Sequence, residues 1–138
     1  LALEIVAGLA VVGQACRHEV NRMQRCRYPV HFPVNLAALR GGDLTEVGRL
    51  FDESHTSLRD DYEVSCAELD VSVQAARSAG ALGARMTGGG FGGSSIALLP
   101  ADAVDTAVAA IAQAFAERGW RAPASFAVTA GESAHRDA

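Results

Sequence analysis

The 138-residue chain contains no lysine, and all 12 of its Lys+Arg cations are arginines. That absence excludes a P-loop phosphate lysine and a Schiff-base amine, and with them several common enzyme chemistries. The formal net charge of −4 leaves no basic footprint for nucleic acid. Cysteine is scarce. Cys16, Cys26 and Cys66 are odd in number and form no CxxC pair, so neither a disulfide framework nor a structural zinc site is expected. They read as reduced thiols of a cytoplasmic protein. His18, His31, His55 and His135 share no HxxxH or HxH spacing, which gives no metal site. A long hydrophobic run is missing too. Leu1 to Ala15 is almost wholly apolar, but it is shorter than the about 20 residues of a spanning helix and has no cationic flank before it. It reads as a buried element, with no membrane partner. Because so apolar a run starts with nothing ahead of it, a longer parent chain is expected.

What is present is an ordinary globular balance, 49% hydrophobic and 20% charged, at a length that suits one core. Residues 1–34 form an apolar opening and an Arg/Pro-rich connection: Arg17, Arg22, Arg25 and Arg27 lead to Tyr28-Pro29-Val30-His31-Phe32-Pro33, where two prolines disfavour helix. A main domain is expected over 35–130, followed by a polar tail over 131–138. Asn35 to Arg40 predicts a helix stopped by Gly41-Gly42. Asp43 and Glu46 stand at capping-box spacing ahead of Leu44, Val47, Leu50, Phe51, Ser54 and Leu58 on one helical face. The acidic pair Asp60-Asp61 ends that helix. A second box, Ser65 with Glu68, predicts another helix with Leu69, Val73 and Ala76 inward until Gly80.

From Gly83 the period changes to that of strands. Gly83–Thr87 and Ser95–Leu99 read as a strand pair around a turn over Gly88–Gly93, closed by Pro100. Asp102 is expected to cap an alanine-rich helix that turns Val104, Val108, Ile111 and Phe115 inward and stops at Gly119, and Ser125 to Thr129 alternates as a last strand. The order predicts an α+β fold, with helices packed on a small, mainly antiparallel sheet.

Five glycines in the six positions Gly88 to Gly93 satisfy G-x-G-x-x-G, but a strand rather than a helix follows, which excludes a dinucleotide fold. So dense a glycine run permits close backbone approach and offers amides to a phosphate, with Arg85 placed to add charge. It equally suits a hairpin packed tightly on a neighbouring element, and the residues alone leave both open. Ser54-His55 beside Asp60 and Asp61 suggests a hydrolase triad, yet adjacent helical side chains diverge by about 100°. That reading is rejected. Arg59-Asp60-Asp61-Tyr62-Glu63 reads as a charged corner of caps and local ion pairs.

Two passages go beyond pattern. Glu53-Ser54-His55-Thr56-Ser57-Leu58-Arg59-Asp60-Asp61-Tyr62-Glu63-Val64-Ser65-Cys66-Ala67-Glu68-Leu69-Asp70 resembles the helix-corner-helix of galactokinases, and Gly83-Ala84-Arg85-Met86-Thr87-Gly88-Gly89-Gly90-Phe91-Gly92-Gly93 resembles their third motif. The resemblance runs from about Arg17 to Val128; Ala67 and Ser94 stand where the family usually has proline and cysteine. It implies the C-terminal domain of a GHMP-type kinase whose N-terminal domain, with the catalytic groups, is absent. The activity implied for the complete enzyme is transfer of the ATP γ-phosphate to galactose, with magnesium. The implied cofactor-binding residues are Arg85, Thr87, Gly88, Gly89, Gly90, Phe91, Gly92 and Gly93, with no catalytic or metal-binding residue in the chain itself. The alternative is a non-catalytic binding or regulatory module on the same scaffold.

Overall fold

The structure, a computed structural model, describes the backbone of residues 3–10 and residues 37–91 and 93–128 in full. Four strands form one sheet in the order β2-β3-β1-β4, where β1 is Leu3–Ala10, β2 Gly83–Thr87, β3 Gly93–Pro100 and β4 Ala124–Val128. All three pairings are antiparallel. The apolar opening thus supplies the strand between β3 and β4, with Leu3 opposite Pro100 and Ile5 opposite Val128. The Arg/Pro-rich connection, including Pro29 to Pro33, lies outside the described residues, as does the tail.

Three helices accompany the sheet: α1 (Leu44–Thr56), α2 (Ala67–Ser78) and α3 (Val104–Ala116). A helical turn over 37–41 precedes them, and Gly42 ends it with φ +70°. Asp43 caps α1 as its spacing predicts, its carboxylate accepting from the Glu46 amide at 3.0 Å. Glu46 does not return the bond, because its carboxylate is held by Arg49. Val47, Leu50 and Ser54 are buried on the predicted face. Gly48 lies among them: a Cβ there would overlap the Leu82 carbonyl, and one on Gly83 would overlap Gly48, so α1 crosses β2 at backbone contact.

Two caps differ from expectation. Cys66, not Ser65, occupies the N-cap of α2 and makes no side-chain cap bond, since the Ser65 hydroxyl donates instead to Asp70 Oδ1 at 2.5 Å. Asp102 does not cap α3. Pro100 leads into a 3₁₀ turn over Ala101–Ala103 that contains Asp102, and the helix starts one residue after it.

Both later helices end as glycine predicts. Gly80 (φ +100°) lets the Ala81 amide reach the Ala76 carbonyl, and Gly119 (φ +68°) lets Trp120 reach Phe115, each at 3.0 Å. Two buried clusters result. Val73, Ala76, Ala84, Leu99, Ala107, Ile111 and Phe115 join α2 and α3 to the β2–β3 hairpin, while Leu58, Val64, Leu69 and Met86 fill the space under the α1–α2 corner. Val104 and Val108 are half-buried against the first cluster. The second cluster fixes the corner against the end of β2, where the glycine turn begins.

Candidate functional site

The site is the place where the corner between α1 and α2 meets the turn between β2 and β3. After Thr56 the chain widens into a π-helical turn, Ser57–Asp61, closed by a Tyr62 amide bond to the Ser57 carbonyl at 3.0 Å and a Ser57 hydroxyl bond to Asp61 at 2.9 Å. Glu63 takes φ +56°, a left-handed conformation uncommon outside glycine, and brings Val64 back under the corner. There the Val64 carbonyl accepts from the Phe91 amide at 2.7 Å. Phe91 has φ +57° to allow it, and Gly90 has φ +84°. A Cβ on Gly90 would overlap that same carbonyl and lie 2.7 Å from Val64 Cβ. Gly90 is therefore demanded by packing inside this chain.

The other glycines are different. Gly88 (φ +87°) and Gly93 (φ +109°) meet the backbone need of the turn, but Gly89 has no left-handed φ, and among the described residues beyond its chain neighbours no heavy atom lies within 4 Å of where a Cβ would stand. Among the described residues, the amides of Gly88, Gly89 and Gly90 meet no acceptor. Backbone N–H groups left without an acceptor in a turn suit an anionic group such as a phosphate. Arg85 and Thr87 lie two apart on β2 and so share the face away from Met86. One Arg85 N–H donates to the Met86 carbonyl at 3.0 Å, which folds the side chain along its own strand. Gly92 lies outside the described residues. The turn carries no carboxylate for a divalent cation, and among the described residues no three His, Cys, Asp or Glu side chains cluster as metal ligands.

Behind the turn lies a pair of residues that the sequence did not reveal in this role. As an edge strand, β2 directs alternate N–H groups away from β3. Two of these are met by side chains of α1: Asp52 accepts from the Ala84 amide at 3.0 Å, and His55 Nδ1 accepts from the Met86 amide at 3.2 Å. Asp52 also holds Arg77 of α2 at 2.9 Å. His55 is 4% exposed, and its Nε2 lies 3.2 Å from Asp70 Oδ1, aligned poorly for a full hydrogen bond. Burial holds the imidazole below its ordinary pKa, Asp70 opposes this, and the cations of Arg59 and Arg85 reinforce it. His55 is neutral at pH 7, with Nδ1 as acceptor. Ser54 is buried on the core face, and among the described residues its hydroxyl has no partner, as befits a residue that is not paired with its neighbour for nucleophilic chemistry.

A cleft of about 380 Å³ opens beside the corner, lined by Arg59, Glu63, Ser65, Cys66, Ala67 and Asp70. Arg59 is engaged by Asp60 at 2.7 Å, and burial pushes the Cys66 thiol up, away from reactivity. No helix among the described residues is long and apolar enough to cross a membrane.

A family model for the GHMP kinases C terminal matches residues 35–117, which include the corner, the edge-strand contacts and the glycine turn. The chain belongs to that family. Within it, the GHMP domain is 43% identical to the galactokinase of Streptomyces coelicolor over 135 residues, covering 98% of this chain and 33% of that protein. It is 57% identical over 88 residues to the galactokinase of Bos taurus, covering 63% of this chain and 21% of that protein. Among solved structures, the Lactococcus lactis galactokinase complexed with galactose superposes with a TM-score of 0.76 at 27% identity, over 91% of this chain and 44% of that one. The L. major mevalonate kinase in complex with R-mevalonate gives 0.67 at 25% identity, over 96% and 44%. The GHMP domain thus spans about a third of the length of the first curated relatives that it matches. It is the C-terminal domain of a galactokinase-like protein, with the antiparallel sheet and packed helices that the sequence predicts.

Proposed function

We infer that this domain works as one wall of a galactokinase-type active site, closing against an N-terminal half that carries the catalytic groups. In the complete enzyme the reaction is transfer of the γ-phosphate of ATP to galactose, with magnesium, giving galactose 1-phosphate. The reading rests on one observation above the family membership: among the described residues, the amides of Gly88, Gly89 and Gly90 meet no acceptor and no contact accounts for the missing side chain of Gly89. Phosphoryl transfer is governed by positioning and charge stabilisation, and backbone N–H groups supply both without a lysine. Arg85, Thr87, Phe91, Gly92 and Gly93 complete the segment that faces the nucleotide. The metal is held by groups outside this turn, which has no ligand for it.

This domain alone is inactive on that reading, because it lacks the groups that bind the sugar and the metal. The test compares the complete enzyme, its Gly89→Val variant and the 138-residue chain in a coupled assay for galactose 1-phosphate. The variant should keep its thermal midpoint and lose ATP affinity, and the isolated chain should show no turnover. An unchanged KM for ATP in Gly89→Val would overturn the wall, and turnover by the isolated chain would overturn the division of labour. Binding of a sugar without turnover by the complete chain would favour the regulatory module instead.

A further inference from the structure

The Thr87–Phe91 turn is anchored at both ends, and both anchors lead to His55. At its entry, the Met86 amide donates to His55 Nδ1 at 3.2 Å. At its exit, the Phe91 amide donates to the Val64 carbonyl at 2.7 Å. Val64 is followed by Ser65, whose hydroxyl donates to Asp70 Oδ1 at 2.5 Å, and that same oxygen lies 3.2 Å from His55 Nε2. The imidazole is 4% exposed, between α1, α2 and β2, so its orientation is set by packing as well as by these partners.

We propose that His55 is a positioning residue for the glycine turn: neutral, it holds Met86 through Nδ1 and sets Nε2 against Asp70 Oδ1, the oxygen that also accepts from Ser65 beside Val64. One ring thereby sets both ends of the segment that carries the open amides. A proton added at Nδ1 would convert the acceptor into a donor facing the Met86 N–H, and the entry anchor would be lost. The groups that bear on that proton are Asp70 from α2, Arg59 and Asp60 from the π turn and Arg85 from β2. The clamp stands on geometry; its consequence for phosphate binding rests on the reading of the turn as the nucleotide wall.

The test uses the full chain with selective nitrogen-15 histidine labelling, alongside hydrogen exchange of peptides that cover the turn, across a pH series. The His55 resonance should report the tautomer protonated at Nε2. Protection of the turn should fall on acidification with the same midpoint as the imidazole, while α3 stays protected. His55→Asn, whose amide oxygen can replace Nδ1 but cannot take a proton, should keep the turn protected and remove the pH response. His55→Leu should raise exchange of the turn about tenfold at every pH, the size expected for one lost hydrogen bond. If that variant does not fold, the wild-type titration and His55→Asn decide. A tautomer protonated at Nδ1, or turn protection indifferent to the imidazole, would overturn the clamp. A turn that follows the imidazole while KM for ATP stays constant would uphold the clamp and remove the phosphate reading.

Discussion

Alanine at Gly90 and alanine at Gly89 should have opposite effects, although the residues are adjacent and chemically identical. At Gly90 the new side chain enters a φ of +84°, which costs an L-residue about 1–2 kcal/mol. Its Cβ also overlaps the Val64 carbonyl, and the overpacking adds about 1–3 kcal/mol and threatens the Phe91 hydrogen bond at 2.7 Å. For a chain of this size a loss of about 2–5 kcal/mol lowers the thermal midpoint by roughly 8–20 °C. At Gly89 φ is not left-handed, and among the described residues beyond its chain neighbours no atom stands within 4 Å of the new Cβ. There alanine should stabilise by about 0.4–1 kcal/mol by restricting the unfolded chain. Differential scanning calorimetry on the two variants reads the difference directly. Equal destabilisation by both would refute the assignment of Gly90 to packing and of Gly89 to an open cradle.

Two further outcomes follow from the caps and from His55. Asp43→Ala should cost about 1 kcal/mol in urea unfolding, because it removes the bond to the Glu46 amide, whereas Asp102→Ala should be neutral within about 0.5 kcal/mol. A larger loss at Asp102 would mean that it caps α3 after all. The His55 pKa is lowered in the fold, so the unfolded chain takes up a proton first, near pH 6.5, as the pH falls. Stability should therefore decline from about pH 6.5 toward the folded-state pKa and be unaffected by this residue above it. Urea midpoints at pH 7.5, 6.5 and 5.5 should show that decline in the wild type and a flatter course in His55→Asn; a midpoint that rises on acidification would have the sign wrong.

Local chemistry explains what could be read from the chain and what could not. Gly83–Thr87 and its partner strand were legible because glycine and proline punctuate them, and α1 because its apolar period starts at a residue that does cap it. Ser65 and Asp102 have the right chemistry for caps but the wrong outcome, since a carboxylate five residues on captured one and a 3₁₀ turn after Pro100 displaced the other. Such choices depend on partners that spacing does not name. The same holds for the opening stretch, which read as buried without a type, because its strand character comes from pairing with residues nearly a hundred positions away. At the site, helical geometry argued against a Ser54–His55 pair, and the structure places His55 Nδ1 on the Met86 amide. His55 itself was missed because its partner, Met86, is 31 residues distant. Gly48 carried a signal that was available: a glycine inside an amphipathic helix argues for close approach, here to Leu82 and Gly83.

The central claim is that the amides of Gly88, Gly89 and Gly90 face the nucleotide in the complete enzyme. Hydrogen exchange of the turn, measured on that enzyme with and without magnesium and a non-hydrolysable ATP analogue, tests it most directly. The account predicts that the nucleotide slows exchange at Gly88 to Gly90 and leaves α3 unchanged. Protection elsewhere in the enzyme with no change at the turn would contradict it.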